Sequence, residues 1–62
     1  MLRLEIKIDM DNAAFDGDWE YEAGIILSTL ARFIDHHGIG GDGHDLIDSN
    51  GNTVGKAEVI DD

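Results

Sequence analysis

The residues able to do chemistry in this chain fall into a few groups: two calcium-like acid patterns, three histidines, a few hydroxyls and a dense run of carboxylates. Gly40 to Asp48 reads GGDGHDLID and fits the calcium-binding nonapeptide G-G-x-G-x-D-x-U-x. Tandem copies of that motif stack as a β-roll and share each ion between successive turns, so one copy supplies only half a cage. The expectation is that these glycines carry the chain from a helix into a strand. Asp9 to Glu20, DMDNAAFDGDWE, sets Asp9, Asp11 and Glu20 at positions 1, 3 and 12 of an EF-hand loop. Ala13 at position 5 cannot coordinate, and Ala14 occupies position 6, where a glycine makes the sharp turn. No metal site and no cofactor are expected.

His36 and His37 are neighbours on a predicted helix and diverge by about 100°, while His44 lies well beyond them. They read as cations at the helix C-terminus, where they satisfy the dipole. Ser28, Thr29, Ser49 and Thr53 are the hydroxyls besides Tyr21, and no His–acid pair is placed to activate one. No catalytic residue is assigned, and the chain is not expected to be an enzyme.

The carboxylates are different. Asp9, Asp11, Asp16, Asp18, Glu20 and Glu22 put six acids within fourteen residues, with Trp19 and Tyr21 interleaved. Aromatic side chains flanked by charge often anchor interfaces. Asp11, Asp16, Asp18, Trp19, Glu20 and Glu22 are therefore the candidate partner-binding residues. The plainer reading is that the acids feed a helix dipole and Trp19 caps the core. A second acid group, Asp42, Asp45, Asp48, Asp61 and Asp62, lies around the chain's second half.

The whole composition points the same way. Fourteen Asp and Glu stand against four Lys and Arg in 62 residues, a formal net charge of −10. A field of one sign steers partners of the opposite sign, so a basic protein surface is the expected partner. Direct nucleic-acid binding and an anionic membrane surface are disfavoured by the same field. With 42% hydrophobic residues, the chain is too apolar for a disordered acidic tail. Cysteine is absent, so disulfides and thiolate sites are excluded. The alternating N-terminus lacks a signal-peptide hydrophobic region, and a cytoplasmic location is expected.

Three kinds of element must hold these residues. Leu2, Leu4, Ile6 and Ile8 alternate with Arg3, Glu5, Lys7 and Asp9, the mark of a strand with one buried face. Residues 10–17 read as a loop in which Phe15 anchors to the core. Ala23, Ile26, Leu27, Leu30, Phe33, Ile34 and His37 then recur at three- and four-residue spacing, predicting a helix over 18–37 with Asp18 as N-cap and Gly38 as its stop. Asn50-Gly51 marks a hairpin, since a type I′ turn needs positive φ at both positions. A two-residue turn sets Ile47 opposite Val54, Leu46 opposite Gly55, and Asp45 opposite Lys56 as an ion pair. A three-residue turn with a bulge shifts that register.

The order is thus β-α-β-β in a single small α+β domain over 1–62: one helix on a three-stranded antiparallel sheet of spatial order 1-3-2. The helix is expected to cover Leu2, Leu4, Ile6, Ile8, Leu46, Ala57 and Val59. Arg3, Glu5, Lys7, Lys56 and Glu58 are expected on the open face, with Ile47, Val54 and Ile60 among them.

An alternating strand ending in DNAAF, a single helix and a closing D-x-N-G-N-x-V-G over Asp48–Gly55 resemble short proteins of bacteriophages and prophages. That group includes small acidic inhibitors of host defence, anti-CRISPR proteins among them. The resemblance implies a nucleic-acid mimic that binds a CRISPR or other defence complex in the host cytoplasm. No residue role is transferred with it. The competing expectation is a structural or regulatory interaction module, homodimeric through the open sheet face, whose acidity serves solubility alone.

Overall fold

A computed structural model describes residues 1–62 and runs β1 (Leu2–Ile8), a 3-10 turn (Ala13–Phe15), α1 (Trp19–His37), β2 (His44–Ile47) and β3 (Thr53–Asp61). β3 lies between β1 and β2 and is antiparallel to both, so the sheet order is 1-3-2. The fold is α+β, as the period-two and period-3.6 patterns dictate. No helix is long and apolar enough to cross a membrane.

Each helix end is closed by the chain beside it. The Asp18 side chain accepts the Tyr21 N–H at 3.0 Å, and the Gly38 N–H donates to the Ile34 carbonyl at 3.0 Å. The core comprises Phe15, Ile26, Leu30, Leu46, Val54 and Ala57, with Ala23 also buried.

The helix does not cover the whole sheet. It lies over β2 and the 3-10 turn, and leaves Leu2, Leu4, Ile6 and Val59 exposed at 68%, 47%, 40% and 49%. The expectation that α1 would bury these four is corrected, and two tethers supply the reason. Near its start, Glu22 bonds to Ser49 in the β2–β3 turn; near its end, the Phe33 ring stacks on His44 at 3.9 Å. Both tethers draw the helix toward β2.

The hairpin departs from the two-residue turn. Ser49, Asn50 and Gly51 form a three-residue loop, closed by Asp48 N–H to Asn52 O at 2.9 Å and Gly51 N–H to Asp48 O at 3.1 Å. Only Gly51 has positive φ (84°), not Asn50. The longer loop shifts the register by one, so Ile47 stands opposite Thr53; a bulge then restores Leu46 opposite Gly55. Val54 is the extra residue, and the bulge turns it into the core instead of onto the open face. Asp45 does stand opposite Lys56, without closing an ion pair. At Gly55 the strands come so close that a Cβ would run into the Lys7 carbonyl and reach within 3.0 Å of the Ile8 Cα. Glycine is required there by space.

Candidate partner-binding surface

The loop leaving β1 folds over the start of α1. Phe15 is drawn into the core by its 3-10 turn, which leaves Asp11 and Asp16 exposed on either side. The Asp9 carboxylate accepts the Asp11 N–H at 3.0 Å, an Asx turn that fixes the strand's exit. Asp18 and Glu20 follow in the first helical turn, exposed, with Trp19 and Tyr21 at 48% and 68% exposure. Trp19 therefore does not cap the core.

Five of the six expected contact residues, Asp11, Asp16, Asp18, Trp19 and Glu20, share this end in solvent. No Lys or Arg occurs between Ile8 and Ala31. The three ion pairs of the molecule, Met1–Asp61, Arg3–Glu5 and Arg3–Asp62, all involve Met1 or Arg3, and none includes an acid of the helix start. The carboxylates at the helix start are thus offset only by the helix dipole.

Glu22 is the exception. It is 5% exposed, and its carboxylate accepts the Ser49 N–H at 2.9 Å and the Ser49 hydroxyl at 2.7 Å. Its expected place among contact residues is corrected: helical periodicity turns it inward, and its oxygens are used by the hairpin. Asp48 is buried beside the same turn. Its Oδ1 accepts the Asn50 and Asn52 N–H groups, each at 2.9 Å, and its Oδ2 accepts from the Asn12 side-chain amide at 3.1 Å. The Asn52 N–H, aided by Asn12 and Asn50, outweighs burial and holds the Asp48 carboxyl below its usual range.

These two buried acids latch the acidic loop, the helix start and the hairpin turn to one another. The latch was missed in the sequence, although an Asp followed at two and four residues by polar turn residues is the signature of an Asx-type acceptor.

The remaining chemistry-bearing residues do not assemble. His37 and His44 both lie against Phe33, with ring centroids 5.0 and 3.9 Å away. No three His, Asp or Glu side chains converge to hold a metal. The larger of two surface depressions, about 90 Å³ between α1 and β2, is lined by Ile26, Thr29, His44 and Ile47 among others. Small-molecule pockets are larger, roughly 300–1,000 Å³.

Compared with protein-family models, curated proteins and solved structures, the chain matches none.

Proposed function

We propose that this protein is a small acidic inhibitor that binds a basic, nucleic-acid-binding surface of a host defence complex. It presents carboxylates where phosphates would sit, in the manner of an anti-CRISPR protein. One observation supports this reading above others: exposed carboxylates and two exposed aromatics share one end of the molecule, with no Lys or Arg from Ile8 to Ala31. The latch through Glu22 and Asp48 fixes the loop that carries them. Ordering on binding then costs little, because the groups are already in place.

The role is non-catalytic. Long-range attraction brings the partner in, and specificity comes from carboxylates set against Arg and Lys with Trp19 and Tyr21 as apolar anchors. The test is binding to a purified CRISPR effector complex across a salt series. Affinity should fall steeply as ionic strength rises. The variant Asp11→Asn/Asp16→Asn/Glu20→Gln, which spares the latch and the Asp18 cap, should weaken binding about tenfold or more. Salt-independent binding, or full affinity in the variant, would refute the reading.

A further inference from the structure

We propose that a second copy of this chain pairs with the free edge of β1, joining two three-stranded sheets into one six-stranded sheet. β1 and β2 are the two edges, but β2 spans only four residues whereas β1 spans seven, unbroken by proline or bulge. Such an edge is a template for another strand unless it is blunted.

Its unused backbone groups can be identified. Asp9 N–H donates to Val54 O at 2.7 Å, and Asp62 N–H donates to Met1 O at 3.2 Å, so the odd-numbered residues of β1 point their peptide groups toward β3. Strand geometry then turns the N–H and C=O of Leu2, Leu4, Ile6 and Ile8 toward the free edge.

The same edge borders an apolar trough. Leu2, Leu4, Ile6 and Val59 form its floor, on the side of the sheet that carries the helix. Leu27 and Ile34, about 100° and 80° around the helix from Ile26, lie on the flank opposite Thr29. Thr29 lines the depression against β2, so Leu27 and Ile34 flank the trough, and both are exposed.

Charge selects a second copy as the occupant. On the outer face Arg3, Glu5, Lys7 and Asp9 alternate in sign. Within the chain that pattern is poorly met: Glu5 stands opposite Glu58, and Lys7 opposite Lys56. An antiparallel β1–β1 register centred on Ile6 sets Glu5 opposite the partner's Lys7, and Arg3 opposite the partner's Asp9, twice over by symmetry. It also pairs the free backbone groups of Leu4 and Ile8 across the dyad. A register centred on Glu5 would instead oppose like charges. The antiparallel arrangement sends the two acidic ends to opposite sides of the assembly, which limits the repulsion between two chains of charge −10.

Sedimentation equilibrium on the intact chain, at concentrations up to the order of 100 µM, tests this. The wild type should be a dimer. Lys7→Glu should raise the dimer dissociation constant tenfold or more while leaving the fold intact, because it places Glu opposite Lys56. The double exchange Glu5→Lys/Lys7→Glu should restore the dimer. A wild type that stays monomeric, a Lys7→Glu variant that dimerises as well as wild type, or a double exchange that fails to recover although folded by circular dichroism would each overturn the proposal.

Discussion

At the residue scale, two buried carboxylates do more for this molecule than the exposed ones. Asp48 accepts three hydrogen bonds and Glu22 two, and together they join three segments far apart in sequence. Because the folded pKa of Asp48 lies below its unfolded value, its contribution is fully present above the unfolded pKa. That contribution disappears as pH falls through the folded value. Asp48→Asn should therefore lower the melting temperature at neutral pH, and the gap to wild type should narrow as pH falls below the usual carboxylate range. Thermal melts over a pH series check this, and a gap that widened in acid would contradict it. Glu22→Ala removes both hydrogen bonds that hold the Ser49 turn to the helix and should cost about 1–3 kcal/mol, read by chemical denaturation. Gly51→Val forces a branched side chain into φ 84° with open space around it, so backbone strain alone should cost about 1–2 kcal/mol.

At the scale of elements, strict alternation in β1 and the three-and-four spacing in α1 identified both segments and the face of each that is apolar. They did not show how far the helix reaches across the sheet, because the tethers that decide it join residues distant in sequence: Glu22 to Ser49, and Phe33 to His44. Val54 was placed on the wrong face for a related reason. One residue added at the turn and one at the bulge cancel in register at Leu46, and no local pattern displays such a compensation. The motif over Asp48–Gly55 was legible as a turn, yet its particular residues are acceptor, bulge and close-approach positions rather than binding chemistry. Truncations separate the covered half from the bare one. Leu30→Ala, at 3% exposure, should cost about 2–5 kcal/mol. Leu4→Ala should leave the chain nearly as stable, because Leu4 is 47% exposed and lies outside the helix-covered core.

At the scale of the whole molecule, charge is distributed unevenly. Three of the four basic residues, Arg3, Lys7 and Lys56, lie on the sheet, and none of the acids at the helix start is held in an ion pair. The cluster itself was legible from sequence, because a run of acids needs no tertiary knowledge to be seen. Which of its members are free was not, since burial of Glu22 depends on where the hairpin turn lands. Any probe of the acidic end must therefore spare Glu22 and Asp18, whose carboxylates are used in folding. The measurement that bears most directly on the proposed function is nucleic-acid binding by a purified CRISPR effector complex, titrated with this protein. Competitive loss of nucleic-acid binding is predicted, abolished or weakened about tenfold by Asp11→Asn/Asp16→Asn/Glu20→Gln. Nucleic-acid binding that is unchanged by saturating wild-type protein, or equal inhibition by the folded variant, would contradict it.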